Sequence, residues 1–190
     1  MITPLFPTLL QTLSYNPPKD LIDYIDQYYQ QYKHRGKQRS SRLGWQSNPH
    51  NIQQLQPIYQ HIHDNIDIDL TLDDAWININ HQGAYNVTHI HPNSDYTFVY
   101  YISDHNSPLT LECPNMYTHH NHLYYQSKHT KQQYNLSLTH KIIPSEGMLL
   151  MFPSYVPHRV EINPLPHNRI SLSWGGSCTV KRTSDSKGFQ

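Results

Sequence analysis

Three imidazoles from two distant stretches are the side chains best spaced for chemistry. In Thr88-His89-Ile90-His91-Pro92 the histidines stand two residues apart, and on a strand that spacing aims both at one face. Two neutral imidazoles so placed suit a shared divalent metal. Pro92 has no N–H for a ladder and starts a turn, so the pair belongs at a rim where a site opens. The third imidazole is His158 of Pro157-His158-Arg159-Val160, which follows the apolar run Gly147-Met148-Leu149-Leu150-Met151-Phe152-Pro153-Ser154. A strand, a short turn and a histidine opening the next strand bring a ligand from far along the chain. In Arg169-Ile170-Ser171-Leu172-Ser173-Trp174, Arg169 and Ser171 share a strand face by the same two-residue rule. The guanidinium fork matches a carboxylate, and the hydroxyl adds a donor.

With 15 histidines in 190 residues, most are surface residues, and two other clusters read that way. His61-Ile62-His63-Asp64 falls in a helical period, where residues two apart diverge. His119-His120-Asn121-His122 lies in a long connection, 114–133, read as a solvated loop.

The elements that must position these residues follow from hydrophobic period. Leu21, Ile22, Ile25 and Tyr28/Tyr29 form a helical stripe over 18–32, and Ile52, Leu55, Ile58, Tyr59 and Ile62 form a second over 52–64. Between them Lys33 to Arg42 is basic and reads as an exposed loop, and Trp45 of Gly44-Trp45-Gln46-Ser47 is taken to pack. After Ile66 the period falls to two. Strands are expected at 67–72, 76–80, 84–91, 96–103, 108–113, 134–143, 148–153, 157–163 and 169–175. They are separated by Pro, Asn, Asp, Ser and Gly turns, with no intervening helices. That pattern means a sandwich or barrel: a mainly β fold with N-terminal helices. One domain is expected over 1–177, helical to about 65 and β from about 66, with a frayed polar tail at 178–190.

Bulk properties exclude several classes. Lys plus Arg and Asp plus Glu each number 14, for zero net charge, which disfavours nucleic acid or an anionic membrane as partner. Two cysteines, Cys113 and Cys178, make neither a disulfide framework nor a zinc ribbon and suit a reducing compartment. No apolar run nears the roughly 20 residues of a membrane span, and Met1 to Leu10 lacks signal-peptide features. A cytoplasmic protein is the expectation, in a host's cytoplasm if the AT-rich flavour of the composition reflects a phage gene.

The ordered set Gly44-Trp45-Gln46-Ser47, His89-Ile90-His91-Pro92, Tyr100-Tyr101, Phe152-Pro153-Ser154, His158-Arg159-Val160 and Arg169-Ile170-Ser171 resembles the Fe(II)/2-oxoglutarate oxygenases. More narrowly it is similar to a 2-oxoglutarate oxygenase family of marine bacteria and their phages, over about residues 5 to 175. The resemblance implies a double-stranded β-helix (a jelly-roll, cupin-like barrel) with iron near its mouth. It implies His89 and His158 as two ligands. The facial triad of Fe(II)/2-oxoglutarate oxygenases at large usually takes a carboxylate as its third member, and His91 stands where their common His-x-Asp motif has Asp. Either His91 completes an all-histidine set, which strand geometry favours, or Asp95 reaches back from the turn. The resemblance further implies that 2-oxoglutarate chelates the iron while Arg169, Ser171 and the phenol of Tyr101 hold its distal carboxylate. Tyr101 shares a face with Thr97 and Val99; Phe98 and Tyr100 occupy the other, with Tyr100 packing outside. The implied reaction hydroxylates a C–H bond and releases succinate and CO₂. The substrate, a small molecule or a protein side chain, stays open, as does assembly into a homo-oligomer. Two rival readings are a three-histidine cupin-type dioxygenase without 2-oxoglutarate and a catalytically silent β-barrel that binds a metal or ligand.

Overall fold

The computed structural model describes residues 8–116, 123, 126–133 and 136–179. An N-terminal strand β1 (Gln11–Ser14) precedes helix α1 (Lys19–Tyr32). Pro17-Pro18 set an extended entry that α1 cannot extend back into. Its apolar stripe buries Leu21 and Ile25. Helix α2 (Gln56–Asn65) has Pro57 in its first turn, where the missing N–H costs nothing, and buries Ile58 and Ile62.

Both helices lie against a large antiparallel sheet of order β1-β10-β7-β12-β5-β3, with β4 (Leu70–Leu72) pairing β12. Its other members are β3 (Trp45–Gln46), β5 (Trp76–Asn80), β7 (Tyr96–Tyr101), β10 (Met148–Pro153) and β12 (Arg169–Cys178). A second sheet runs β2-β6-β11-β8-β9. It comprises β2 (Ser41–Arg42), β6 (Tyr85–His89), β8 (Leu109–Glu112), β9 (Thr139–Ile142) and β11 (His158–Val160).

Period-two side chains divide β7 and β10 between two cores. Phe98, Tyr100, Leu149 and Met151 join Leu172 and Trp174 beneath the helices. Val99, Tyr101, Leu150 and Phe152 meet Leu109 and Val160 between the sheets. Burying one such side chain contributes about 1.5–3 kcal/mol, so a one-residue slip of β7 would forfeit both cores together. The result is the expected jelly-roll.

Several expectations need correction. Tyr100 is not one of them: it packs outside the barrel beneath the helices, where it has no exposed surface and its hydroxyl donates to Tyr15 O at 2.7 Å. The N-terminal third is not purely helical, since β1, β2 and β3 lie in it. The connection 114–133 holds a short helix, α3 (Lys128–Gln133), while His119, His120 and His122 fall outside the described residues. The polar tail starts later than residue 178, because β12 runs through Cys178; residues 180–190 are outside the described set. Trp45 packs as expected, edge-on to Tyr29, with Nε1 donating to Tyr32 O at 3.2 Å.

Candidate active site

Strand pairing delivers the three imidazoles to one point. β6 and β11 run antiparallel with His89 directly opposite His158, and their rings lie 4.3 Å apart. The register shifts between His158 and Val160, an irregularity of the kind that re-aims a side chain. His91 comes two residues on, just past the end of β6. Its N–H donates to Ser154 O at 3.0 Å, and its ring stands 5.0 Å from His89 and 5.1 Å from His158. One ring nitrogen from each histidine lies within 4.8 Å of the others; among the described residues no other group of three His, Cys, Asp or Glu does so.

Two carbonyls fix which nitrogens face inward. His89 Nδ1 lies 2.8 Å from Val87 O and His158 Nδ1 lies 2.9 Å from Val156 O. A carbonyl only accepts, so both Nδ1 atoms carry hydrogen and both Nε2 atoms keep a lone pair. Burial also removes charge from the cluster. Desolvation, with His89 beside it, holds His158 down at about 3 and His91 at about 4, and desolvation lowers His89 as well. Neutral imidazoles are the form a cation needs. Asp95 is not in the cluster: its carboxylate accepts the Cys178 N–H at 2.8 Å.

Arg169 opens β12 from the major sheet and is 1% exposed. Its Nε donates to Ser107 O at 3.2 Å, Nη1 to Ser171 Oγ at 3.4 Å and Nη2 to Tyr101 Oη at 3.2 Å, with the guanidinium 5.0 Å from the Tyr101 ring centre. Tyr101 thus holds the arginine and keeps its own hydrogen to donate. Desolvation disfavours the guanidinium charge, yet arginine stays protonated even when buried. None of the ion pairs among the described residues involves Arg169. A narrow cavity of about 30 Å³ joins all three histidines to Arg169 and Ser171, walled by Trp76, Asn78, Thr97, Val99, Leu109 and Val160 among others. A roomier cleft of about 290 Å³ near Tyr59 and Asp73 contains none of these residues.

Sequence reasoning missed the supports. Asn78 Nδ2 donates to Ser173 Oγ at 3.2 Å on the cavity wall; the alternation of Trp76-Ile77-Asn78 is the signal that could have found it. Behind Arg169, the buried His105 accepts the Ser107 N–H on Nδ1 at 2.9 Å. Asp104-His105-Asn106-Ser107-Pro108 read only as a turn, with nothing to mark His105 as buried.

A family model described as "Putative 2OG-Fe(II) oxygenase" matches residues 74–175, from the edge of β5 through most of β12. The chain belongs to that family. As a 2OG-Fe(II) oxygenase it is an oxidoreductase that uses Fe(II) and 2-oxoglutarate. No curated protein matches it in sequence. Solved structures share the fold. A Pseudomonas putida prolyl-4-hydroxylase aligns at 16% identity and TM-score 0.56, over 91% of this chain and 94% of that one. A Trichoplax adhaerens prolyl hydroxylase, in complex with a hypoxia-inducible-factor peptide, aligns at 13% identity and TM-score 0.58, over 88% and 83%. HygX from Streptomyces hygroscopicus, with nickel, 2-oxoglutarate and hygromycin B bound, aligns at 9% identity and TM-score 0.56, over 95% and 90%.

The residues present fit what the family requires. Three neutral nitrogens suit a divalent first-row metal, and a buried guanidinium without a carboxylate partner suits an anion carried in by a co-substrate. No helix among the described residues is long and apolar enough to cross a membrane.

Proposed function

We propose that His89, His91 and His158 hold the Fe(II) of this oxygenase and that Arg169, Ser171 and Tyr101 hold the distal carboxylate of 2-oxoglutarate, so that a C–H bond of a substrate is hydroxylated. The observation that carries this reading is the buried Arg169, charged and facing the same narrow cavity as the three imidazoles. A desolvated cation with only neutral partners is costly unless an anion completes it. Bound together, Fe(II) and 2-oxoglutarate supply O₂ activation coupled to decarboxylation of the co-substrate to succinate and CO₂.

The chain's own groups do the rest. Backbone carbonyls of Val87 and Val156 orient two of the ligand rings. Val99, Leu109 and Val160 make the cavity wall apolar between the metal end and Arg169, which limits water and strengthens the carboxylate pairing. Ser107 O takes the Nε–H of Arg169 and leaves the two terminal nitrogens to meet a carboxylate as a fork. An imidazole at position 91 makes the metal site one unit more positive than a carboxylate would.

The substrate is a small molecule or a peptide side chain; the prolyl hydroxylase and HygX neighbours support either. We further propose that residues 1–177 act as one oxygenase domain, and that unpaired Cys113 and Cys178 suit a reducing cytoplasm.

Succinate formation from 2-oxoglutarate under O₂ tests the assignment. Arg169→Lys keeps the charge but loses the fork, and should raise the KM for 2-oxoglutarate by roughly ten-fold or more, as loss of a charge-assisted pair of about 1.5–3 kcal/mol implies. An unchanged KM in a folded variant would remove Arg169 from the co-substrate site.

A further inference from the structure

Zero net charge conceals a strong segregation of charge. Lys33, Arg35, Lys37, Arg39 and Arg42 fall within ten residues, and no Asp or Glu occurs between Asp26 and Asp64. From Leu43 to Ser127 there is no Lys or Arg, while Asp64, Asp67, Asp69, Asp73 and Asp74 crowd one stretch. Lys33, Arg35, Lys37 and Arg39 are exposed, and none takes part in an ion pair among the described residues.

This segment is not a loose loop. Gly36 lies flat on Trp45, so closely that a Cβ there would fall 2.2 Å from Trp45 Cδ1. The Lys37 N–H donates to Gln46 O on β3 at 2.8 Å, and Ser40 O accepts the Val87 N–H on β6 at 3.0 Å. β3 is the outer strand of one sheet and β2 the outer strand of the other, so residues 37–40 cross the gap between the sheets. Ser40 reaches the cavity of the three histidines, and Asn86 Nδ2 donates to its Oγ at 3.0 Å. β2 pairs β6 antiparallel, with Ser41 opposite Asn86; followed backwards, the strap heads toward the His89 end of β6. The backbone that carries these cations is therefore anchored beside the site, with Ser40 on the cavity wall.

We propose that the strap Lys33–Arg42 is the substrate dock of this enzyme and that it takes an extended acidic peptide, one of whose side chains enters the cavity. The inference rests on the oxygenase reading only for the meaning of the cavity. Four exposed cations spread over the 3-10 turn Lys33–Arg35 and the segment that follows it match a polyanion rather than a compact anion, which would need convergent donors. Among polyanions a peptide fits better than a single-stranded nucleic acid. Of the strap's side chains only the single imidazole of His34 is an exposed aromatic, short of the platform of successive rings on which a single strand stacks its bases. Ile90, between two of the histidines and 45% exposed, gives a peptide an apolar contact at the mouth.

The test is fluorescence anisotropy on the full chain with three labelled probes of equal length: an alternating Glu/Gly peptide, an alternating Lys/Gly peptide and oligothymidylate. The Glu/Gly peptide should bind, and the variant Lys33→Ala/Arg35→Ala/Lys37→Ala/Arg39→Ala should weaken it about ten-fold or more. The melting temperature should not change, because the four side chains are exposed. The dock is overturned if the variant binds the Glu/Gly peptide as wild type does. Equal binding of the Lys/Gly peptide, or tighter binding of oligothymidylate, overturns it too. Affinity for 2-oxoglutarate, measured on the same variant, should be unaltered. Its loss in Arg169→Lys bears on the co-substrate site alone, so the two readings fail separately.

Discussion

His91 and Arg169 carry the individuality of this site. An imidazole stands at position 91, and the alternative donor, Asp95, is tied to the end of β12 through the Cys178 N–H. On the proposed assignment three neutral ligands would leave the charge balance to the co-substrate, a dianion that Arg169 would help to hold. The guanidinium is aimed by a chain of two bonds: His105 Nδ1 accepts from Ser107 N, and Ser107 O accepts from Arg169 Nε. His105→Ala should therefore weaken 2-oxoglutarate binding about 2- to 12-fold, the worth of one hydrogen bond of roughly 0.5–1.5 kcal/mol, while metal affinity stays the same. His105→Asn, whose amide oxygen can accept the same N–H, should recover part of the loss. Calorimetric titration of 2-oxoglutarate into the anaerobic metal-loaded protein checks this, and equal affinities would show that the bond has no positioning role. The three histidines, Arg169 and Ser171 were legible because strand alternation and chain order mark them. His105 was not, since nothing local distinguishes a buried histidine from the others in a His-rich chain.

At the level of elements, period-two alternation located the strands that bury a face, β5 to β12, with errors at their ends. β1, β2 and β3 escaped it. Ser41-Arg42 and Trp45-Gln46 are two residues each, too short for any period, and exist because β6 and β5 offer edges to them. β1 is equally dependent on context: it pairs β10 from Gln11↔Met151 to Ser14↔Met148. The turn that makes this pairing possible centres on Gly147, with φ +74°, where a Cβ would lie 2.7 Å from Tyr15 O. Gly147 O also accepts the Tyr15 N–H at 2.9 Å. Gly147→Ala should cost about 1–3 kcal/mol, from left-handed backbone strain and overpacking together. Urea denaturation measures it; a shift of less than about 0.5 kcal/mol, the range of ordinary surface changes, would mean that β1 is not clamped there.

Across the whole molecule, the proposed site joins stretches about seventy residues apart in sequence. β6 brings His89 and β11 brings His158 into register, while β12 carries Arg169 in from the other sheet. Composition could not reveal the second whole-molecule property, because opposite charges cancel in a sum and only their positions expose a basic strap and a separate acid-rich stretch. The claim beneath all of this is that side chains 89, 91 and 158 share one Fe(II) that 2-oxoglutarate also chelates. The most direct measurement is anaerobic: add Fe(II), then 2-oxoglutarate, and record the weak visible charge-transfer band of the chelate. The wild type should develop the band with saturable dependence on 2-oxoglutarate, and His158→Ala should not. A featureless wild-type spectrum, or a band unaltered by loss of His89 or His158, would contradict the account.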